Sequence, residues 1–146
     1  MSIHKILVTG KNGQLGWELQ QLATSFPNYD FHFTDRTTLD LLHPDDINKV
    51  LNTIQPDIII NPAAYTQVDK AESDQENARL ANATSVEVLA KWAALKNIPF
   101  ITYSTDYVFG GEANTPYPTD TPLAPVNFYG QSKAEGEQLA LAANPK

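Results

Sequence analysis

Tyr129 and Lys133 are the two residues in this chain whose types and spacing most directly suggest chemistry. They close the run Tyr129-Gly130-Gln131-Ser132-Lys133. On a helix this spacing sets a phenol and an ammonium side by side on one face. A phenol titrates near pKa ~10, so at neutral pH it acts as a general acid or base only where a nearby positive charge favours the phenolate. Lys133 is placed to be that charge, and the chemistry is proton transfer to or from an oxygen. Surface helices produce the same spacing by chance, so its meaning depends on what the rest of the chain brings to it. Gly136 and Ala140 continue the same face at helical spacing, and their small size predicts a helix lying close to a sheet.

The elements that must position the pair alternate in type. Residues 5–9 are an apolar, β-branched run that stops at Gly10, and Leu15, Leu19 and Leu22 then recur at helical spacing. Residues 29–34 alternate and end at Asp35, after which Pro44, Asp45 and Asp46 open a helix with Ile47, Val50, Leu51 and Ile54 as its buried stripe. Residues 57–61 are almost continuously apolar, as in a parallel strand covered on both faces. A long helix is predicted over 75–96 with Ala81, Ser85, Val88, Trp92 and Leu95 on its inner face, followed by a strand over 98–103 and a last helix over 128–143. Strand-helix alternation with right-handed crossovers predicts an α/β fold on a parallel sheet. Residues 104–128 are rich in Pro, Thr, Gly and Asp without a period, and an irregular segment of that length in a compact domain reads as functional.

At 146 residues and 16.1 kDa the chain suits one domain with a core that needs neither metals nor disulfides. The formal net charge of −7 opposes nucleic acid and anionic lipid, and no apolar run approaches the length of a membrane span. There is no cysteine, and Met1-Ser2-Ile3-His4-Lys5 leads straight into the first apolar run, which reads as a cytoplasmic chain. The expected partner is a small soluble ligand, including an anionic one, because backbone donors at a helix end hold phosphates even on an acidic protein. Trp17 and Trp92 read as packing, and His4, His32 and His43 lack ligand spacing.

The run Gly10-Lys11-Asn12-Gly13-Gln14-Leu15-Gly16 lies between the first strand and the first helix. Small residues there let the backbone turn sharply, approach a pyrophosphate and bring helix onto sheet. The spacing is Gly-x-x-Gly-x-x-Gly, not the dehydrogenase Gly-x-Gly-x-x-Gly, and the position between strand and helix is what supports the reading. Asp35, at the end of the second strand, is placed to accept hydrogen bonds from an adenosine ribose. Arg36 beside it suits a 2′-phosphate, so NADH and NADPH both stay open. Asn61-Pro62-Ala63-Ala64-Tyr65 ends the third strand at the same carboxyl edge, and small Ala63 and Ala64 would let a cofactor run close to the backbone.

With the segments Asn61-Pro62-Ala63-Ala64-Tyr65-Thr66-Gln67-Val68-Asp69-Lys70-Ala71-Glu72 and Ser104-Thr105-Asp106-Tyr107-Val108-Phe109-Gly110, the chain resembles the dTDP-4-dehydrorhamnose reductases, members of the extended short-chain dehydrogenase/reductases. The resemblance runs from Lys5 to the end and implies a Rossmann-type doubly wound parallel sheet. It assigns a triad to Thr105, Tyr129 and Lys133. The implied reaction moves hydride from NADPH or NADH to the 4-keto carbon of a dTDP-6-deoxyhexulose, Tyr129 donating the proton and Thr105 holding the carbonyl oxygen. Lys133 would support the Tyr129 phenolate and bind the nicotinamide ribose. The turn from Gly10 through Asn12, Gly13, Gln14 and Leu15 to Gly16 would hold phosphates, and Asp35 and Arg36 the adenosine ribose. Asp40 and Leu41 would flank the adenine, and Ala63, Ala64 and Tyr65 would line the cofactor. Val68, with Thr105, Asp106 and Tyr107, would lie near the sugar, although Asp106 and Tyr107 read equally well as loop scaffolding. Some family members use a metal ion at a dimer contact, which would make Glu18 a ligand for Mg2+; a surface carboxylate is the default reading.

The related sugar-nucleotide epimerases and dehydratases usually carry an aromatic residue where this chain has Leu15. A non-catalytic alternative is a regulatory subunit similar to the β subunit of methionine adenosyltransferase, which keeps the dinucleotide fold. Family members run to about twice this length, so residues 1–146 are expected to be the cofactor domain of a longer reductase that lacks its substrate domain. One sheet edge and the inner face of the last helix are then expected to lack cover, with self-association or a homodimer as the consequence.

Overall fold

The computed structural model describes residues 4–145 and contains one four-stranded parallel sheet. Its strands are β1 (His4–Val8), β2 (Tyr29–Phe33), β3 (Ile58–Asn61) and β4 (Phe100–Thr102), in the order β2-β1-β3-β4. Helix α1 (Gln14–Ala23) connects β1 to β2, and α2 (Pro44–Ile54) connects β2 to β3. Between β3 and β4 come α3 (Val68–Ala71), α4 (Gln75–Arg79), a π-helical turn at Leu80–Thr84 and α5 (Ser85–Lys96). A long loop then leads to α6 (Phe128–Ala143). The chain leaves β1 in one direction and returns across it to β3, which is the topological switch point at which open α/β sheets bind ligands.

Side-chain alternation divides the sheet into two faces. Leu7 and Ile59 point toward α2 and α5, where they join Leu39, Leu41, Ile47, Leu51, Leu89 and Trp92 in the main core. Leu7, Leu51, Ile59 and Leu89 are fully buried and contribute about 1.5–3 kcal/mol each. Helix α2 has Pro44 at its first position and Asp45 and Asp46 in its first turn, where a fixed φ and negative charge both favour a helix start. The opposite sheet face carries Ile6, Val8, Ile60 and, in register, Ile101. Among the described residues α1 is the helix that serves this face.

Several sequence expectations change here. The helix expected over 75–96 contains the π-helical turn, because the backbone widens to bury Asn82. Ala81, Ser85 and Trp92 are buried as expected, but Leu95 is 85% exposed, and because α5 is enclosed by the sheet, α2 and α6, Val86, Leu89, Ala90 and Ala93 are buried as well. Trp17 is 55% exposed and Leu22 is exposed too, so the packing expected of Trp17 and of the Leu22 stripe position is not formed. Trp92 does pack, and its indole N–H donates to Asn52 Oδ1 at 3.0 Å. The inner face of α6, expected to be bare, is buried, with Tyr129, Ser132, Lys133, Gly136 and Ala140 inside. The last strand is shorter than expected, Phe100–Thr102.

Candidate active site

At the carboxyl edge of β1 the backbone turns at Gly10, whose φ of +63° lies in the left-handed region. A Cβ on Gly10 would also stand 2.9 Å from that of Ala63, so glycine is required twice over. A Cβ on Gly16 would overlap the Gly10 carbonyl, which is how α1 comes to start directly beneath the turn. Gly13 precedes α1 in an extended conformation, without a side-chain cap and without an acidic residue in the first turn. Helix N–H groups left with no side-chain acceptor, under a turn no side chain fills, fit a pyrophosphate. Asn12 and Gln14 are exposed beside it and Leu15 is half-buried.

Ala63 is held over this turn by a buried polar ladder. Thr9 Oγ1 donates to Asn61 Oδ1 at 2.6 Å, Asn61 Nδ2 donates to Thr102 Oγ1 at 3.2 Å, and Ala63 N–H donates to Thr9 Oγ1 at 3.2 Å. The ladder ties the ends of β1, β3 and β4 together at the level where the ligand edge begins. Ala63 and Ala64 are half-buried. Tyr65 differs: its ring is buried in the core and its hydroxyl donates to Asp74 Oδ2 at 3.0 Å. Burial first, and Asp74 second, push that phenol up. Tyr65 meets the strand end through its backbone, whose N–H and C=O both bond the Asn82 side chain, at 2.8 and 3.0 Å.

The end of β2 is more crowded than the sequence suggests. Asp35 accepts from Thr37 N–H at 3.0 Å and Thr37 Oγ1 at 2.7 Å, and Lys11 Nζ lies 2.9 Å from its other oxygen. The Thr37 hydroxyl and then Lys11 hold this carboxyl well below the usual carboxylate range. Arg36, Thr37, Thr38, Asp40 and His43 line an adjacent depression of about 370 Å³. Asp40 accepts Leu42 N–H at 2.9 Å there. Leu41 is in the core, and its carbonyl accepts the Ser85 hydroxyl at 2.6 Å. Of the two residues expected to flank an adenine, Asp40 is the one that borders the depression.

Helix α6 begins with an Asn127 cap, whose Oδ1 accepts Gly130 N–H at 2.7 Å. Tyr129 and Lys133 are both buried on its inner side. Lys133 Nζ donates to the Tyr103 carbonyl at 2.6 Å. Burial pulls its pKa down, partly offset by Glu137 one turn along. Ser104 hydrogen-bonds the Glu137 carboxylate, so the strand-end segment is tied to α6 beside the lysine.

Thr105 is extended after β4 and caps a 3₁₀ turn over Asp106–Val108. Its Oγ1 accepts Tyr107 N–H at 3.3 Å and its hydroxyl donates to Asp106 Oδ1 at 3.2 Å. Tyr107 stands edge-on to Tyr129 with ring centroids 5.5 Å apart. A Cβ on Gly130 would overlap the Tyr107 carbonyl, so the turn that follows Thr105 sits directly on the first turn of α6. The loop beyond it is closed by Ala124 N–H on the Val108 carbonyl at 2.9 Å and by Phe109 stacked on Tyr117. Val68 is half-buried at the start of α3, which packs beside α6. Glu18 is exposed on α1, and among the described residues no group of three His, Asp or Glu is arranged for a metal ion, so nothing here supports Mg2+.

Sequence reasoning missed Asn82, Ser132, Lys11 and Glu72. Asn82 Nδ2 also donates to Ser132 Oγ at 3.0 Å, and Ser132 donates to the Tyr129 carbonyl at 2.7 Å. A polar residue set among the small residues of Leu80-Ala81-Asn82-Ala83-Thr84 was the available signal.

A doubly wound parallel sheet with a glycine turn at its switch point, and a tyrosine and lysine on α6, is the architecture of the extended short-chain dehydrogenase/reductase class. The chain belongs to the family described as the RmlD substrate binding domain, whose model matches residues 4–146. It is 46% identical over 136 residues to the dTDP-4-dehydrorhamnose reductase of Escherichia coli K12, covering 91% of this chain and 45% of that protein. The reductase of Bacillus anthracis, solved in complex with NADP, superposes with a TM-score of 0.91 at 36% identity, over 98% of this chain and 50% of that one. A reductase from Clostridium acetobutylicum gives 0.91 at 40% identity, over 97% and 50%. The chain thus spans about half the length of the relatives it matches.

Proposed function

We propose that this chain is the cofactor-binding portion of a dTDP-4-dehydrorhamnose reductase, which reduces the 4-keto group of dTDP-4-dehydro-6-deoxy-L-mannose to give dTDP-L-rhamnose, a cell-surface polysaccharide precursor. The observation that carries the reading is the pairing of buried Tyr129 and Lys133 on α6 with the Thr105 segment, at the sheet edge that also holds the glycine turn. A nicotinamide cofactor, when bound, supplies the hydride. Tyr129 donates the proton to the developing alkoxide, and the Thr105 hydroxyl donates to the carbonyl oxygen after turning from Asp106. The Lys133 ammonium, held on the Tyr103 carbonyl, would take the ribose hydroxyls of that cofactor. The uncapped start of α1 holds the pyrophosphate. The substrate is a soluble nucleotide sugar, which suits a cytoplasmic enzyme.

For the adenosine end we favour NADPH. Lys11 pairs with Asp35 and offsets its negative charge, which leaves Arg36, at the border of the neighbouring depression, as the cation for a 2′-phosphate. The B. anthracis relative was solved with NADP. Calorimetric titration of this chain should give tighter binding of NADPH than NADH; equal affinities would remove the preference.

The decisive assay is oxidation of NADPH by the family-length enzyme, dependent on dTDP-4-keto-6-deoxy-mannose. Tyr129→Phe should lower kcat by about 100-fold or more, with NADPH affinity changed less than about threefold. An equal loss in both would reduce Tyr129 to packing. Nucleotide binding without turnover would favour the regulatory-subunit reading.

A further inference from the structure

The Val68-Asp69-Lys70-Ala71-Glu72 motif contributes Val68 to the proposed sugar side, but its other members have no part in the reaction as drawn. Three of the five positions sit in different settings. Val68 is half-buried at the start of α3, Ala71 is fully buried in the core, and Glu72 follows directly after α3. The Glu72 side chain turns toward α6, and its Oε1 accepts the Phe128 N–H at 2.8 Å, a contact spanning 56 residues of sequence. Phe128 is the first residue of α6, and Tyr129 is the next.

The first N–H groups of any helix lack an intrahelical partner, and a carboxylate there is doubly favourable, as a charge-assisted acceptor and as a negative charge at the positive end of the helix dipole. In α6 two side chains divide this work. Asn127 takes the Gly130 N–H from the position just before α6, whereas Glu72 takes the Phe128 N–H from the end of α3. The Tyr107 carbonyl presses on Gly130 from the Thr105 side. The turn bearing Tyr129 is therefore bracketed by the two segments proposed to meet the sugar.

We propose that Glu72 is a positioning residue for proton transfer, fixing the first turn of α6 against the α3 segment that carries Val68. Displacing a reacting group by about 1 Å is enough to cost about 100-fold in rate, so a tether beside the proton donor acts on turnover more than on affinity. This inference rests on the reductase reading for its kinetic consequence but not for its structural one.

Two measurements separate these. In this chain, Glu72→Ala should speed hydrogen exchange of the Phe128 and Tyr129 amides by about tenfold or more, while Glu72→Gln, which keeps an acceptor oxygen, should leave them within about threefold. In the family-length enzyme, Glu72→Ala should lower kcat by about tenfold with the KM for NADPH unchanged, and Glu72→Gln should restore most of it. Added to Tyr129→Phe, Glu72→Ala should cause no further loss, because the group it positions is gone. Unchanged exchange in Glu72→Ala overturns the tether. A kcat loss that persists in the Tyr129→Phe background, or a loss confined to KM, overturns the positioning role. If the unmodified family-length enzyme reduces no keto sugar, the reductase reading fails while the exchange measurement still decides the tether.

Discussion

The ammonium of Lys133 is largely removed from water, with the Tyr103 carbonyl as its bonded partner and Glu137 one turn further along α6. Burial favours the neutral amine, so this lysine loses its proton at a lower pH than the ordinary value of 10.5, and Glu137 opposes that tendency. If the ammonium is the working form, activity falls on the alkaline side as pH rises through the lowered pKa. Replacing Glu137 by Gln removes the charge that favours the ammonium, so the alkaline limb of the pH–rate profile should move to still lower pH. A limb that stays in place would show that Glu137 acts only through Ser104. Lys133 and Tyr129 were legible from sequence because their spacing and residue types are local properties. The Lys11–Asp35 pair was not, since it joins the glycine turn to the end of another strand and forms only when the sheet has paired β1 with β2.

Helix α6 is positioned by another helix more than by the sheet. The small size of Gly136 predicts close approach to strands, but what it admits is another helix: a Cβ there would overlap the Asn82 carbonyl in the π-helical turn. Both groups are backbone-constrained, so neither can give way without shifting an element that carries part of the site. Gly136→Ala should therefore destabilise the chain by about 1–3 kcal/mol through overpacking, read as a lower urea midpoint at constant m-value. A variant with an unchanged midpoint would show that the helices have room to part. Periodicity found every strand and every long helix, because burying one face imposes a repeat on the sequence. It could not show the π-helical turn, which is created by what Asn82 bonds: the Tyr65 backbone and Ser132.

At the scale of the whole molecule, the two sides of the sheet are unequally covered. The side of α2, α5 and α6 is a finished core, whereas the α1 side leaves Trp17, Leu22, Phe26, Ile101 and Tyr103 exposed. In addition, among the described residues β4 pairs on one side only and presents its other edge. Isolated in solution, this chain is expected to self-associate through that face and edge, and Ile101→Lys should return it to monomer. A monomer at all concentrations in sedimentation velocity would remove the idea. The same isolated chain should bind nucleotide weakly and leave dTDP-keto sugar unreduced; ketone-dependent NADPH oxidation by it would be a direct refutation. The sequence by itself determined the alternation of strands and helices, the glycine turn and the tyrosine–lysine pair, because each is written in a short window by backbone sterics or helical geometry. Tertiary structure alone decided that Tyr65 points into the core, that Lys11 occupies Asp35, that Asn82 and Ser132 join the cofactor-side strand end to α6, and that Glu72 reaches the start of that helix. Those contacts join residues far apart in sequence, whose proximity is set by sheet order and helix packing, and no local pattern encodes it.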